Sequence, residues 1–276
     1  MANGALTVRF WGVRGSVPVS GDEYRLFGGN TACIEVRCGK RAILFDAGSG
    51  IRPAGAALHG EGMRDFDVLL THCHLDHVLG LPFFFPLYCS TSHATIWSGH
   101  LAGRMTTREI VAGILQPPWF PIDPGMCCAD LDYRDFKAGD VLHPGGGITV
   151  RTGKLNHPDG CIGYRIEFDG RSVALISDTE HHPGELDGNV LELIRDADLV
   201  IYDSAYTDAE MEDHKGFGHS SWQQGVRLCK SAGAKRLALF HHDPARTDTA
   251  MEEIETAAKR EFPNAFAARD GMTVEL

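Results

Sequence analysis

Four potential metal ligands crowd into six residues, His72-Cys73-His74-Leu75-Asp76-His77, directly after the apolar run Val68 to Leu70 and Thr71. This run constrains the fold more than any other feature, because a buried strand must stop abruptly there and turn into a helix. While the backbone is still extended, His72 and His74 point to one side. Asp76 and His77 then turn with the chain towards a neighbouring position, so the segment offers donors to two sites. Imidazole with carboxylate suits zinc, manganese or iron better than calcium or magnesium.

Two sites need further donors, and three lie just after predicted strands. His157 follows the strand near Ile148 to Arg151, Asp178 follows Val173 to Ser177, and His241 follows Arg236 to Phe240, with His242 as its nearest competitor. Functional side chains on loops at the ends of a rigid sheet are the expected arrangement for an active site. Further strands are predicted at Leu6 to Trp11, Ala32 to Val36, Ala42 to Phe45, Ile162 to Phe168 and Leu199 to Tyr202. Gly39 and Asp169-Gly170 mark hairpin turns. Helices are predicted over Asn189 to Asp196, Ser221 to Ala232 and Asp248 to Glu261, with Ser220 and Thr247 as N-caps. Two strand-rich halves with interleaved helices give an α/β sandwich in one domain spanning residues 1–276. Residues 93–143 hold Pro117, Pro118, Pro121 and Pro124 beside Trp119 and Phe120. They are expected to form a helix and then an irregular insert serving as a lid or a dimer contact.

The net charge of -11 and the lack of a dense Lys/Arg cluster argue against a large polyanion as partner. The apolar run Leu81 to Tyr88 contains two prolines and is far shorter than the ~20 residues of a membrane helix. No signal peptide is visible, and the eight cysteines are scattered, so reduced thiols in the cytoplasm and no membrane partner are expected.

From near residue 6 to near residue 245 the chain resembles the metallo-β-lactamase-fold hydrolases, on the strength of His72-x-His74-x-Asp76-His77 followed in order by His157, Asp178 and His241. The resemblance implies an αββα sandwich of two mixed sheets flanked by helices, with two metals at one edge. It also implies that His72, His74 and His157 hold one ion and Asp76, His77 and His241 the other, with Asp178 between them. Zinc is the expected metal, with manganese or iron as substitutes. The β-lactamases of this fold carry Cys at the position of Asp178, and flavodiiron proteins carry Glu at that of His74, so neither activity is expected here.

The segments Phe10-Trp11-Gly12-Val13-Arg14-Gly15-Ser16-Val17-Pro18 and Gly28-Gly29-Asn30-Thr31 are similar to the opening of the ribonuclease Z and cyclic-phosphodiesterase branch. By that resemblance, Asp203 replaces a family Glu and works with His219 as proton donor. Asp76, His219 and Asp203 are then the catalytic residues, while Arg14, Ser16, Asn30, Thr31 and Arg246 are candidates for contacting phosphate. Two metals ~3.5–4 Å apart would poise a bridging hydroxide for in-line attack on phosphorus. Only 21 positions separate His157 from Asp178. The basic arm that grips transfer RNA does not fit there, so the expectation is a small substrate such as a cyclic nucleotide, no large nucleic acid, and a chain free to homodimerise. A thioester or lactone hydrolase, or a non-catalytic metal-bound sensor, is the alternative. Glu180, His181 and His182 crowd the site without an assigned role.

Overall fold

The computed structural model describes residues 5–121, 124–182 and 184–276. The first sheet contains β1 (Leu6–Gly12), β2 (Cys33–Cys38), β3 (Arg41–Phe45), β4 (Asp65–Leu69), β5 (His93–Ser98) and β6 (Asp130–Asp135). The second contains β7 (Val141–Gly145), β8 (Ile148–Leu155), β9 (Cys161–Phe168), β10 (Arg171–Ile176), β11 (Leu199–Asp203), β12 (Leu237–Phe240) and β13 (Ala265–Ala267), and β14 (Thr273–Glu275) returns to the first. The strand orders are β14-β1-β2-β3-β4-β5-β6 and β13-β12-β11-β10-β9-β8-β7. In each sheet three antiparallel pairings precede three parallel ones.

Both sheets are covered on both faces, which explains why their strands read as nearly continuous apolar runs. Along β10, Val173 and Leu175 face the layer between the sheets, where they join Phe10, Ile34, Phe45, Tyr164 and Phe240. Their neighbours Ala174 and Ile176 face outward against α4 (Gly188–Ile194), α5 (Trp222–Ala232) and α6 (Asp248–Glu261) through Val190, Val226 and Met251. On the first sheet, Leu44, Val68 and Ile96 face outward onto α1 (Ile51–Gly60) and α3 (Thr107–Ile114). The order of layers is therefore helix, sheet, sheet, helix, as expected.

Local chemistry fixes the helix starts. Thr106 and Glu109 form a reciprocal capping box on α3, Asp187 caps α4, and Thr247 accepts from the Ala250 N–H at the start of α6. On α5 the cap is Ser221, which accepts from Gln224 N, and not Ser220. The Ser220 hydroxyl is instead 2.8 Å from the buried Tyr202 hydroxyl. Residues 93–143 also differ from expectation. They carry β5, α3, β6 and the start of β7, and α3 is the crossover that parallel strands require. The prolines are confined to the stretch between α3 and β6, where Trp119 is exposed and Phe120 packs edge-on against Phe83. Among the described residues no disulfide forms.

Candidate metal centre

Every residue of the centre lies beyond the carboxyl end of a strand, where the loops of both sheets meet. After β4, Tyr164 donates to Leu70 O at 2.6 Å and Ile162 N donates to Thr71 O at 3.0 Å, so β9 clamps the stem of the motif. The chain stays extended through His74, which stands at the N-cap of α2 (Leu75–Val78), and the turn of α2 swings Asp76 and His77 to the other side. His241 directly follows β12 with a left-handed backbone (φ 60°). Its ring packs so close to Gly15 that a Cβ there would lie 2.3 Å from Cε1, so only glycine fits.

The atoms of the seven predicted ligands converge as two groups. His72, His74 and His157 form one, and Asp76, His77, Asp178 and His241 form the other, while Asp178 and His241 also cluster with Asp203 and His219 in a third, overlapping set. His157 Nε2 is 3.0 Å from His74 Nδ1, and His77 Nε2 is 3.2 Å from His241 Nε2. Asp178 spans the groups. Its Oδ1 is 3.3 Å from His77 Nε2 and 3.4 Å from His241 Nε2, and its Oδ2 is 3.6 Å from His72 Nε2 and 3.7 Å from His157 Nε2.

These residues fit a pair of divalent cations. Ligands about 2.1 Å from a tetrahedral ion stand roughly 3.4 Å from one another, close to the spacings found. Two of the remaining ring nitrogens have carboxylate or carbonyl partners, while His241 Nδ1 is buried without one. His77 Nδ1 is 2.8 Å from Asp46 Oδ2, and His157 Nδ1 donates to Gly218 O at 2.7 Å. Each hydrogen bond leaves Nε2 facing the centre, the usual outer support of a ligating imidazole. His72 Nε2 is buried with no partner, the orphan that a cation would satisfy. Burial holds His72 and His157 below the ordinary histidine pKa, in the neutral, ligating form. Burial works against the charge of Asp76 and Asp178, but His77 and His241 outweigh it and keep both well below the usual carboxylate range.

Asp203 and His219 adjoin this second group. His219 Nδ1 lies 3.1 Å from Asp203 Oδ2 and 3.9 Å from Asp178 Oδ2, and its ring stacks on His241 with centroids 4.9 Å apart. Asp203 is fully buried and also accepts from Thr179 N and Ala205 N. Burial opposes a charge on His219, but Asp203 outweighs it and raises the pKa to about 9. The competitor His242 points elsewhere. Its Nε2 donates to Ala268 O, and burial pushes its pKa down to about 3.

The proposed phosphate contacts fare differently. Arg14 is fully buried and ties loops together by donating from Nε and Nη1 to the carbonyls of Gly28, Asp243 and Arg246, while its Nη2 has no partner. Asn30 bonds Asp270 and Ser49, and Thr31 is buried and accepts from Ser49 N. All three side chains brace the loops at this edge of the centre. Arg246 is paired with Glu210. Ser16 contributes its backbone, with its N–H 2.7 Å from Asp76 Oδ2. Of the three crowding residues, Glu180 bonds the 216–218 loop, His181 meets the Tyr202 hydroxyl, and His182 is exposed. Sequence reading missed Asp46, which orients His77 and receives Thr71 N and Oγ1. The signal was available, since Asp46 directly follows β3 as the other candidates follow theirs.

Residues 41–242 match the sequence profile of the β-lactamase superfamily domain. Ribonuclease BN of Cronobacter sakazakii is 25% identical over 84% of this chain and 89% of its own length. Ribonuclease Z of Myxococcus xanthus is 24% identical over 90% and 92%. Among solved structures, the metallo-β-lactamase fold protein YhfI from Bacillus subtilis has a TM-score of 0.76 at 19% identity, covering 99% of this chain and all of that one. A diphosphatase of the PhnP family gives 0.71 at 18%, with 98% of each chain covered. The short form of human tRNase Z gives 0.67 at 20%, over 97% and 98%.

These relatives overturn the exclusion of large nucleic acid, because full-length relatives are ribonucleases and one neighbour is a tRNase. The error was to let a global charge of -11 stand for the field at the site, which depends on local distribution and on bound cations. Among the described residues, no helix is long and apolar enough to cross a membrane. With the profile match over most of its length, the αββα fold and the two donor groups, the chain belongs to the β-lactamase superfamily, as a metal-dependent hydrolase of its ribonuclease Z-like branch.

Proposed function

We propose that this protein is a dinuclear, zinc-dependent phosphodiesterase in which His219 protonates the leaving oxygen. The observation that carries the reading is the His219–Asp203 pair, 3.1 Å apart, set against Asp178 at the edge of the donor groups. A thioesterase, which expels a weakly basic thiolate, has less need of such an acid, whereas an alkoxide expelled from phosphorus requires a proton. A lactone also expels an alkoxide, and the substrate panel below separates it.

His72, His74 and His157 would hold one cation and Asp76, His77 and His241 the other, with Asp178 shared. Bound there, the pair supplies Lewis-acid polarisation of the phosphoryl oxygens and a nucleophile at neutral pH. The histidine-rich donor set favours zinc. Asp203 accepts the Nδ1 proton of His219 and so fixes the tautomer, leaving Nε2 to meet the departing oxygen. Asp76 is held in place by Ser16 N, so its carboxylate is preoriented. The substrate class is phosphodiesters, with a small diester such as a cyclic nucleotide and an RNA tail entering the assay on equal terms.

The test is metal content together with turnover of aryl and alkyl phosphodiesters, RNA, thioesters and lactones, by wild type and His219→Ala. Two zinc ions per chain are expected, with diester cleavage that falls ~10²–10⁴-fold in His219→Ala when the leaving group is a poor one. Turnover of thioesters or lactones without any diester cleavage sinks the proposal. So does a His219→Ala enzyme that cleaves alkyl diesters at the wild-type rate.

A further inference from the structure

The Glu180 carboxylate lies outside both donor groups, yet it binds the loop on which they depend. It accepts Gly216 N at 3.0 Å on Oε1 and 2.9 Å on Oε2, and Gly218 N at 2.9 Å on Oε2. Gly216 and Gly218 both have positive φ, 87° and 84°, which turns their N–H groups towards a single acceptor. Gly218 therefore faces two ways. Its N–H is on Glu180, its carbonyl receives His157 Nδ1, and the next residue is His219. Contact with His157 leaves no slack, because a Cβ on Gly218 would lie 2.3 Å from His157 Nδ1. Glu180 is itself pinned to the His157 loop, its N–H donating to Asn156 O and its carbonyl receiving Asn156 Nδ2, both at 2.8 Å.

We infer that Glu180 is a positioning residue which sets the reach of His219 and the ring orientation of His157 through one loop. The inference rests on the proposed role of His219 for its catalytic half, and on hydrogen-bond geometry alone for its His157 half. A carboxylate receiving several N–H donors is a strong, charge-assisted anchor. Without it, the 216–218 loop has two N–H groups released to solvent and the Gly218 carbonyl is free to shift. His219 then loses its aim at the leaving oxygen, while Asp203 still fixes its tautomer. His157 loses the acceptor that keeps Nε2 turned to His72 and His74.

The experiment compares wild type, Glu180→Ala, Glu180→Gln, His219→Ala and the double variant Glu180→Ala/His219→Ala. Alkyl and aryl phosphodiesters are the substrates, and zinc affinity is measured separately by chelator competition on the metal-free protein. Glu180→Ala is expected to lose about 10–100-fold in kcat on the alkyl diester and much less on the aryl diester, whose leaving group departs unprotonated. Zinc affinity should fall several-fold. Glu180→Gln, which keeps one acceptor oxygen, should fall between the two and guards against an alanine variant that does not fold. In the double variant the two losses should not add, because both act on one proton transfer. Equal losses on both diesters, or additive losses in the double variant, would overturn the catalytic half. Unchanged zinc affinity in both Glu180 variants would overturn the His157 half. If wild type cleaves no diester, the functional proposal fails by itself, and the zinc measurement still decides the inference about the loop.

Discussion

The two sheets have the same succession of pairings, three antiparallel and then three parallel, but they build their share of the centre in different ways. The first sheet supplies four donors from one short segment after β4, stiffened by the turn of α2 and by Asp46 from the neighbouring strand. The second supplies His157, Asp178 and His241 from three loops, with Asp203 at the end of β11 and His219 on a further loop. A contiguous segment inherits its geometry from local backbone rules. Separate loops need cross-braces, and Glu180 and Asp178 are two that this sheet has. The first side is therefore rigid because of its secondary structure, and the second because of its side-chain network.

The largest expected effect comes from removing the residue in which the sides meet. Asp178 faces both donor groups with one oxygen each, and histidines on every side lower its pKa despite burial. Asp178→Ala should weaken both cations by at least ~100-fold, beyond the 10–100-fold typical of losing an outer hydrogen-bond partner. Zinc titration of the metal-free variant checks this. Retention of one cation at wild-type affinity would show that the two sides are independent.

A smaller, one-sided effect follows from Asp46→Asn. The amide can still accept from Thr71 N through its oxygen, but it no longer draws the Nδ1 proton of His77 as a carboxylate does. Zinc affinity at the Asp76, His77 and His241 group should fall about 10–100-fold, while the all-histidine group is spared. Stoichiometric titration should then resolve two unequal steps. A uniform loss at both steps would break the distinction between the sides.

The same contrast explains what the sequence made legible. The sandwich and the His72–His77 cluster could be read because short, nearly continuous apolar runs and a tight strand-to-helix turn are local in sequence. The helix of residues 93–143 was legible, but strands β5 and β6 on either side of it were masked by the prolines between α3 and β6, which coloured the rest of the stretch as irregular. Arg14, Asn30 and Thr31 sit in a polar glycine-rich loop, which looks the same in sequence whether it faces a ligand or the frame. Only contacts across the chain decide, such as Arg14 Nη1 on the Arg246 carbonyl 232 positions away. Asp46 could be marked as a candidate from its place directly after β3, but its tie to His77 depends on β3 lying beside β4, which is a property of the sheet and not of the segment.

The smallest effect belongs to the seam where the last strand returns to the first sheet. Asp270, at the turn before β14, receives Gly29 N, Asn30 N and Asn30 Nδ2 all on Oδ2, while Oδ1 is buried without a partner. Burial raises its pKa from 3.8 to about 6, although those donors and Arg14 pull the other way. The folded state thus holds this proton more tightly than the unfolded chain does. Its contribution to stability is complete below the unfolded pKa near 4 and is lost as pH climbs through about 6. After discounting for partial exposure, the loss between about pH 4 and pH 7 is of the order of 1 kcal/mol. Asp270→Asn keeps an acceptor oxygen and removes the titration, so wild type should lose that much more urea resistance than the variant over the same interval. Zinc stoichiometry should be unchanged, since Asp270 bonds only the Gly28–Asn30 loop and not the donors. Parallel pH curves for the two proteins would mean that Asp270 is already ionised in the folded state. A change in zinc binding would mean instead that the seam and the centre are coupled through Arg14, and the first side would no longer owe its rigidity to local structure alone.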